Sequence, residues 1–316
     1  MTSKPLVFHT SAYAHVADQM CRSHRLETGE RQVKKFPDGE RCQNITSHVR
    51  GEQAILVGGT HDDSSIVELY HLAFGLVKQG VQRLDIVVPY YGYSTQERPS
   101  KGRPGEVVSA KAQAVLLSSI PQAPGGNRIV LFDLHMEQES YYFEGALVPM
   151  HVQGMSFVRE TALELAAGRP FVLASTDAGR LKWVQDLAEE LKVDAAAVLK
   201  KRIDAKTIKL VAIAAQVEGQ VVIIYDDMIR TGGSLMKAAE AYHAAGAAAV
   251  YAISTHGVLP GDSLAQLEAS GLFQGIVCTD SHPQAQALKG TTKFLTVKEC
   301  GQIFVKALVG LPPQFD

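Results

Sequence analysis

The architecture of this chain can be inferred from one segment, VVIIYDDMIRTGGSLMKAA, which runs from Val221 to Ala239. Its first residues, Val221 to Tyr225, are apolar or aromatic and mostly β-branched, which predicts a strand buried on both faces of a parallel sheet. Two acids, a glycine-containing turn and a helical run from Leu235 to Ala245 follow. A strand, a turn and a helix in this order indicate an α/β fold.

The turn has the composition of a phosphate site. Gly232 and Gly233 allow the backbone to approach a ligand closely, and Thr231 and Ser234 add a hydroxyl group on either side. The first amides of the following helix point toward the turn and favour an anion there. We therefore expect this turn to bind a phosphate group.

Two adjacent carboxylates, Asp226 and Asp227, precede the turn. At the end of the strand they would lie a sugar's length from the phosphate, where they can accept hydrogen bonds from vicinal hydroxyls. The loop is thus suited to hold ribose 5-phosphate by both ends. The alternative is that the turn only caps a helix and that both acids are solvated. Paired acids at a fixed spacing after a buried strand favour the ligand site.

Length and composition limit the classes of function. A chain of 316 residues is typical of about two domains, and a hydrophobic content of 46% is enough for a core in each. Lys and Arg number 31 against 33 Asp and Glu, which gives a net charge of -2. This balance argues against a general surface for nucleic acid or membrane, so any anion site must be a local arrangement.

The cysteines and the N-terminus indicate a cytoplasmic protein. The 4 cysteines are scattered, without a C-x-x-C pair or metal-ligand spacing, and are expected to be reduced thiols. Neither a long apolar segment near the N-terminus nor a run of membrane-spanning length occurs in the sequence. We therefore expect neither export nor membrane insertion.

The first half of the chain alternates strands and helices. Alternation of this kind builds a parallel sheet whose ligands bind at the carboxyl ends of the strands. Tyr93 to Arg98 and Asp133 to Gln138 both follow predicted strands and belong to that edge. Lys35 to Arg41 is expected to form a surface turn. The predicted strands are Pro5–His9, Ala54–Val57, Leu84–Pro89 and Arg128–Phe132, and the predicted helices are Ala12–Arg22, Ser64–Gln79 with Ser64 as its cap, and Val107–Ser119.

The second half repeats this plan. When Gly80 is placed over Gly246, a helix, a glycine and a strand align in each half, which indicates two copies of one α/β unit. Cations are concentrated between Val198 and Lys209, where a charge run ordinarily marks a solvated face. The predicted elements are strands at Phe171–Ala174 and Ala249–Ser254 and a helix at Leu181–Leu191, in addition to those of the central segment.

In this order the segments resemble the ribose-phosphate pyrophosphokinase (PRPP synthetase) family over nearly the whole chain. The central loop also resembles the phosphoribosyl-binding loop of type I phosphoribosyltransferases. The resemblance rests on motifs in the family order and at nearly the family spacing. They are F-x-D-G-E at Phe36–Glu40, P-Y-F-G-Y-x-R-Q-D-R at Pro89–Arg98, D-L-H-x-x-Q at Asp133–Gln138, part of S-P-D-x-G-G at Ser175–Arg180, K-x-R at Lys200–Arg202, and D-D-M-I-D-T-G-G-T at Asp226–Ser234.

The resemblance implies two tandem phosphoribosyltransferase-like domains with mostly parallel sheets and an active site between them. Residues 1–150, with a C-terminal helix at about 298–316, would form the domain that carries the ATP motifs, and 151–297 the domain with the sugar-phosphate loop. It also implies a homo-oligomer, a hexamer or a dimer, with the active site at a subunit interface. ATP would contact Phe36, Asp38 and Glu40 of a neighbouring subunit, and Thr95, Gln96, Glu97 and His135 of its own.

The reaction implied by the resemblance transfers the β,γ-pyrophosphoryl group of ATP to the 1-hydroxyl of ribose 5-phosphate, giving PRPP and AMP. Lys200 and Arg202 would close over the β-phosphate, because such transfers depend on positioning and on neutralisation of negative charge. Mg²⁺ would be held mainly by ATP, with His135 and Asp177 as protein ligands. Asp177, Asp226, Asp227 and the turn from Arg230 to Ser234 would bind the sugar phosphate.

Substitutions within the motifs leave alternatives open. Thr95 replaces an ATP-binding Arg, Arg230 replaces the third acid of the loop, and Arg180 replaces the second glycine of S-P-D-x-G-G. A cation at the sugar-phosphate site favours an acceptor with more negative charge, such as ADP-ribose, with Arg230 or Arg180 on its extra phosphate. Alternatively Arg230 faces solvent and the ordinary acceptor is used. A phosphoribosyltransferase and a non-catalytic regulatory subunit are the remaining possibilities.

Overall fold

The computed structural model describes residues 4–176, 179–202, 208–213 and 215–309, with the backbone alone at 199–202 and 208–213. The chain divides into two compact units. Unit 1 extends to Gln153 and also includes the segment that begins at Glu299, and unit 2 is Gly154–Lys298. No helix in the described part of the chain is both long enough and apolar enough to cross a membrane.

Unit 1 is built on a six-stranded parallel sheet with the strand order β2-β1-β5-β6-β7-β8. A separate antiparallel hairpin, β3–β4, is inserted between β2 and β5. The strands are β1 (Leu6–His9), β2 (Glu27–Thr28), β3 (Arg31–Lys35), β4 (Arg41–Ile45), β5 (Gln53–Val57), β6 (Arg83–Val88), β7 (Asn127–Phe132) and β8 (Leu147–Val152), and the helices are α1 (Ala14–Cys21), α2 (Asp63–Lys78) and α3 (Ser109–Ser118).

The central strands of unit 1 are apolar on both faces because both faces of the sheet are covered. Successive side chains of a strand point to opposite faces. Leu56 accordingly packs in one core with Leu72 of α2, whereas Ile55 and Val57 pack in the other core with Val16 of α1. This double coverage explains the short apolar strands that the sequence predicts.

The start of α2 differs from the prediction that Ser64 caps this helix. The structure has Asp62 at the N-cap, where its carboxylate accepts a hydrogen bond from the backbone N–H of Ser65 at 2.7 Å. Asp62 has the extended backbone of an N-cap, so the helix begins at Asp63. An acid and a serine are both good caps, and the local pattern does not separate them.

Unit 2 has a seven-stranded sheet with the order β11-β10-β9-β12-β13-β14-β15, parallel except for the edge strand β11. Its core lies around β12, β13 and the helix that follows β12. The strands are β9 (Phe171–Ser175), β10 (Asp194–Arg202), β11 (Ile208–Ile213), β12 (Val221–Ile229), β13 (Ala249–Gly257), β14 (Gly275–Thr279) and β15 (Leu295–Lys298), and the helices are α4 (Met155–Ala166), α5 (Leu181–Leu191), α6 (Gly233–Ala244), α7 (Ser263–Ala269) and α8 (Pro283–Leu288).

The last helix, α9 (Gly301–Val309), belongs to unit 1. Its Phe304 packs edge-on against Phe132 of β7, with ring centroids 5.3 Å apart. The backbone N–H of Gly301 donates to Oε1 of Gln19 in α1 at 2.9 Å. The chain therefore leaves unit 1 after Gln153 and returns to it at its C-terminal end.

The two units share one topology. When β11 is left out, both sheets have six strands in the same order, and β5 and β12 each occupy the third position. Gly80 and Gly246 follow the corresponding helices, and both have a left-handed backbone, with φ of 92° and 89°. The tandem repeat that the sequence predicts is thus present in the fold.

Candidate functional site

The acids of the central loop lie within β12 rather than after it, which corrects the predicted strand end at Tyr225. β13 continues to Gly257, and its pairing with β12 extends through Asp226 opposite Ser254 and Ile229 opposite Gly257. On the other side β9 ends at Ser175, opposite Tyr225. The acids therefore lie at the carboxyl edge of the sheet, where ligands bind in folds of this type.

The turn between β12 and α6 depends on its two glycines for different reasons. Gly232 has a φ of 77°, and a Cβ there would lie 2.7 Å from Cδ2 of Leu267. At Gly233, by contrast, the nearest atom to such a Cβ would be Oγ1 of Thr231, at 4.0 Å. Gly232 is thus required by the fold, whereas Gly233 borders open space at the N-terminus of α6.

The two acids differ in exposure and in their partners. Asp227 is buried, and its Oδ2 lies 3.0 Å from a guanidinium nitrogen of Arg180. Asp226 is half-buried and accepts hydrogen bonds from Oγ1 of Thr176 and from the backbone N–H of Asp227, both at 3.1 Å. The more accessible carboxylate of the pair is therefore that of Asp226.

The protonation of Asp226 reflects this environment. Burial raises the pKa of Asp226 to about 8, and the adjacent Asp227 reinforces the rise through its charge and a hydrogen bond. The hydrogen bond from Thr176 and the charge of Arg180 oppose this rise in the pKa. Because burial and the neighbouring carboxylate both favour the protonated form, the pair readily retains a proton near neutral pH.

A buried polar network supports the acids from the neighbouring strands. Ser254 donates its hydroxyl to the backbone O of Asp227 at 3.3 Å, and Nδ1 of His256 lies 2.8 Å from Oγ of Ser281. Oγ1 of Thr279 donates to the backbone O of Thr255 at 2.6 Å. The residues of this network were not assigned a role from the sequence. Polar side chains at the carboxyl ends of buried strands are nevertheless a signal of such a network.

An aromatic pair lies beside the acids. Trp183 of α5 stacks on Tyr225 with ring centroids 4.1 Å apart and an interplanar angle of 21°. The sequence contains 1 tryptophan, so its fluorescence reports on this site alone. Arg180 immediately precedes α5 and has a side-chain exposure of 15%.

The predicted ATP motif after β6 has a strained backbone. Tyr93 has a φ of 61° and precedes a short 3-10 helix, Ser94–Gln96. Gly92 is fixed by a 2.8 Å hydrogen bond from its N–H to Oγ1 of Thr60, and a Cβ there would lie 2.0 Å from the backbone O of Thr60. Left-handed non-glycine residues of this kind are concentrated at functional sites. Beyond the turn, Thr95 and Gln96 are exposed and Glu97 is half-buried.

The motif after β7 is strained in the same way. Asp133 is buried and has a φ of 44°. The backbone N–H of Leu134 donates to Nε2 of His151 at 3.0 Å, which fixes the chain as it leaves the strand. His135 follows and is half-buried. Both predicted ATP motifs of unit 1 thus lie at the carboxyl ends of neighbouring strands of one sheet.

The predicted surface turn joins β3 to β4, and its side chains Phe36, Asp38 and Glu40 are exposed. Both strands of the hairpin are fixed to Glu68 of α2. Guanidinium nitrogens of Arg31 and Arg41 lie 3.1 and 2.6 Å from the two carboxylate oxygens of Glu68. The charged cluster therefore sets the direction in which the turn projects from unit 1.

The remaining predicted residues are described only in part. Lys200 and Arg202 lie in β10 by their backbone, but their side chains are outside the described part, as is Asp177. The charge run thus includes an antiparallel pair, with Lys200 opposite Leu210, that the sequence analysis did not predict. Among the residues that the structure describes, no three His, Cys, Asp or Glu side chains form a group able to hold a metal ion.

Two units with repeated α/β topology, and an acid pair before a glycine turn, define a protein of the phosphoribosyltransferase-like class. The family model for the N-terminal domain of ribose phosphate pyrophosphokinase matches residues 6–120, and that for the phosphoribosyl synthetase-associated domain matches residues 179–308. The chain is 31% identical over 279 residues to the ribose-phosphate pyrophosphokinase of Fusobacterium nucleatum, covering 87% of this chain and 85% of that protein. The chain belongs to the ribose-phosphate pyrophosphokinase family.

Further comparisons agree with this membership. The ribose-phosphate pyrophosphokinase of Caldanaerobacter subterraneus is 29% identical over 311 residues, covering 98% of this chain and 95% of that protein. The crystal structure of phosphoribosylpyrophosphate synthetase from Mycobacterium smegmatis shares the fold, with a TM-score of 0.83, 24% identity and 98% coverage of both chains. The predicted family, the fold class and the assignment as an enzyme, a transferase of the pyrophosphokinase type, are therefore confirmed.

Proposed function

We propose that this enzyme transfers the β,γ-pyrophosphoryl group of ATP to the 1-hydroxyl of ribose 5-phosphate. The hydroxyl oxygen forms a bond to the β-phosphorus. The bond between the β-phosphorus and the oxygen that bridges it to the α-phosphate breaks, and AMP leaves. The observation that carries the proposal is the half-buried acid Asp226 beside the open turn at Gly233, at the carboxyl edge of the unit 2 sheet. The family names of the relatives support it.

The sugar phosphate would bind by both ends of this loop. The 5-phosphate would accept hydrogen bonds from the amides at the start of α6, with Thr231 and Ser234 adding their hydroxyls. Asp226 and Asp227 were predicted to accept hydrogen bonds from the ribose hydroxyls. The half-buried Asp226 is available for this contact, whereas Asp227 is buried and paired with Arg180.

ATP would bind to the motifs of unit 1. Thr95, Gln96, Glu97 and His135 lie at one sheet edge and would contact the nucleotide of the same subunit. The hairpin turn with Phe36, Asp38 and Glu40 is exposed and would contribute to the site of a neighbouring subunit, which requires a homo-oligomer, a hexamer or a dimer. Phe36 has 37% of its surface exposed, which would allow its aromatic ring to stack on a ligand.

Mg²⁺ is the cofactor that the family implies. When bound it would neutralise the ATP phosphates, and His135 and Asp177 are its predicted ligands. Mg²⁺ prefers oxygen ligands and keeps several waters, so one carboxylate with the phosphates fits this ion better than an all-protein cage.

Lys200 and Arg202 would place their cations over the β-phosphate. Removal of one preorganised contact of this type costs roughly 3 to 4 kcal/mol, about a hundredfold to a thousandfold in rate. We expect purified protein with ATP, Mg²⁺ and ribose 5-phosphate to release AMP, and Lys200→Ala to lose that activity. Lys182→Ala, which changes an exposed lysine of α5, is the matched control. Absence of AMP from the wild-type protein, or full activity of Lys200→Ala, would contradict the proposal.

The exposed side chain of Arg230 favours a second candidate for the acceptor. Arg180 is engaged with Asp227, whereas the side chain of Arg230 is exposed at the end of β12, where it is placed to meet an extra phosphate. An acceptor such as ADP-ribose would use the same chemistry. A non-catalytic regulatory subunit would instead release no AMP with either acceptor, so one assay with both acceptors separates the three possibilities.

A further inference from the structure

The ion pair between Arg180 and Asp227 is enclosed by the protein. Asp227 has a side-chain exposure of 2% and Arg180 one of 15%, and their nearest nitrogen and oxygen lie 3.0 Å apart. A buried carboxylate is costly unless a cation or several donors compensate it. The guanidinium of Arg180 contributes to this compensation.

Helix α5 holds Arg180 in place through a second contact with β12. Arg180 and Trp183 are three residues apart, so they lie on one face of the start of the helix. Tyr225 and Asp227 are two residues apart, so they lie on one face of the strand. Trp183 stacks on Tyr225 while Arg180 binds Asp227, and the two contacts fix the helix start against the strand. Val184 and Leu187 anchor the buried side of α5.

The two acids are thereby divided between separate tasks. Asp226 retains an accessible carboxylate, and its contacts with Thr176 and with the N–H of Asp227 hold that carboxylate in one orientation. Asp227 has its carboxylate directed to Arg180 and its backbone O bonded to the hydroxyl of Ser254. One acid faces the ligand, and the other connects β12 to its neighbours.

We propose that Arg180 is a positioning residue of the acceptor site, which pairs with Asp227 and leaves Asp226 as the acid that binds the sugar hydroxyls. The inference rests on the proposed function, because it assumes that a sugar phosphate binds at this loop. It assigns Arg180 no contact with the acceptor. Loss of Arg180 should therefore weaken binding of the acceptor through the orientation of the acids and leave the binding of ATP unchanged.

Isothermal titration of the full chain with ribose 5-phosphate, with Trp183 fluorescence as a second readout, tests the proposal. We expect Arg180→Gln to weaken binding by about tenfold or more, since it removes the positive charge opposite the buried carboxylate of Asp227, and Arg180→Lys to restore part of the affinity. The KM for ATP should stay within about twofold of the wild-type value, a separation that general loss of structure does not produce.

The double variant Arg180→Gln/Asp227→Asn removes both charges and tests the division of tasks even if Arg180→Gln does not fold. We expect it to bind ribose 5-phosphate within about threefold of the wild type, and Asp226→Asn to lose about tenfold or more. The inference is overturned if Arg180→Gln binds normally, or if the double variant loses as much as Asp226→Asn. A wild-type protein that neither binds ribose 5-phosphate nor releases AMP would instead refute the proposed function.

Discussion

A cluster of buried charges in unit 1 can be compared with one in unit 2, and the two differ in their balance of acids and cations. In unit 1 a single acid, Glu68, is shared by Arg31 and Arg41, and its Oε1 also accepts hydrogen bonds from the backbone N–H and the hydroxyl of Ser11 at 2.9 and 2.6 Å. In unit 2 two acids share one arginine. Among the side chains that the structure describes, the first cluster has two arginines for one acid, and the second has one arginine beside two adjacent acids.

This difference separates a structural carboxylate from the one that we propose binds the substrate. The carboxylate of Glu68 has a side-chain exposure of 3%, and donors from three separate segments occupy it, so no ligand can reach it. Asp226 is half-exposed, and its pKa is raised to about 8. A carboxylate that the protein leaves incompletely compensated at a sheet edge is the one suited to receive hydrogen bonds from a substrate.

The largest expected effect is on stability and comes from Glu68. Glu68→Gln would leave the two arginines without their common counter-charge, and we expect the free energy of unfolding to fall by about 3 to 5 kcal/mol, as for other broken buried ion pairs. Urea denaturation followed by circular dichroism measures this change. A loss below about 1 kcal/mol would show that the cluster is not the structural element that the comparison requires.

The control for Glu68 is an ion pair of equal length that is open to solvent. A guanidinium nitrogen of Arg159 lies 2.6 Å from Oε1 of Glu190, the same separation as between Arg41 and Glu68, but the Glu190 side chain is 47% exposed. We expect Glu190→Gln to change the free energy of unfolding by less than about 1 kcal/mol. The two variants together isolate the contribution of burial.

The glycines of the two equivalent turns give the next largest effect. β5 and β12 hold the same place in their sheets, but the space beyond them differs. A Cβ at Gly59 would lie 2.0 Å from the hydroxyl of the buried Tyr13, whereas Gly233 borders open space. We expect Gly59→Ala to cost about 1 to 3 kcal/mol of stability and Gly233→Ala less than about 0.5 kcal/mol.

For enzyme activity we expect the opposite order, with the larger effect from Gly233→Ala than from Gly59→Ala. A methyl group at Gly233 would occupy the volume assigned to the 5-phosphate, so we expect Gly233→Ala to raise the KM for ribose 5-phosphate by about tenfold or more. Steady-state measurement of AMP release at varied acceptor concentration provides this value. An unchanged KM in a stable Gly233→Ala protein would place the phosphate elsewhere.

The stability of the protein should depend on pH through Asp226. The pKa of Asp226 is about 8 in the folded protein and lies far above the ordinary carboxyl value, so the folded state binds a proton that the unfolded state releases between about pH 4 and pH 8. The contribution of this site is therefore fully present at low pH and is lost as the pH rises toward 8. Its slope is at most about 1.4 kcal/mol per pH unit.

Asp226→Asn removes this titration. We expect the free energy of unfolding of the wild type to fall more steeply between pH 6 and pH 8 than that of Asp226→Asn, as measured by urea denaturation at each pH. Because the other titrating groups are common to both proteins, the difference in slope reports on the coupled pair of Asp226 and Asp227. Parallel pH profiles would indicate that Asp226 is ionised throughout. The carboxylates of the two clusters would then be compensated to the same degree.

Local patterns predicted the repeated α/β core of both units, but not strands such as β8, β14 and β15 or the helix α4. The bounds of α5 were predicted as observed, and the tandem repeat followed from Gly80 and Gly246, because a helix end in a left-handed glycine is a signal within a few residues. The extension of β12 to Ile229 was not predicted, since it depends on its partner β13. The strands β10 and β11 were concealed by cations that locally indicate a solvated face.

The residue types of the candidate site were predicted from the sequence, but the contacts between its side chains were not. Resemblance and composition singled out the loop acids and the turn, and Arg180 was noted as a departure from a motif and, with Arg230, as a cation for an extra phosphate of the acceptor. Its contact with Asp227 joins two distant segments, and only the packing of α5 on β12 brings them together. Glu68 likewise lies in an amphipathic helix, where a glutamate ordinarily faces solvent.

The smallest expected effect on stability belongs to Arg230, the cation that replaces the third acid of the family loop. Because its side chain is exposed, we expect Arg230→Asp to change the free energy of unfolding by less than about 0.5 kcal/mol. The variant adds a third acid to the loop that holds Asp226 and Asp227, so it should disfavour an acceptor with extra negative charge. If Arg230 recognises such an acceptor, the ratio of kcat/KM for ADP-ribose to that for ribose 5-phosphate falls by about tenfold in Arg230→Asp. If Arg230 faces solvent in the complex as well, the ratio stays constant, and wild-type protein shows no preference for ADP-ribose.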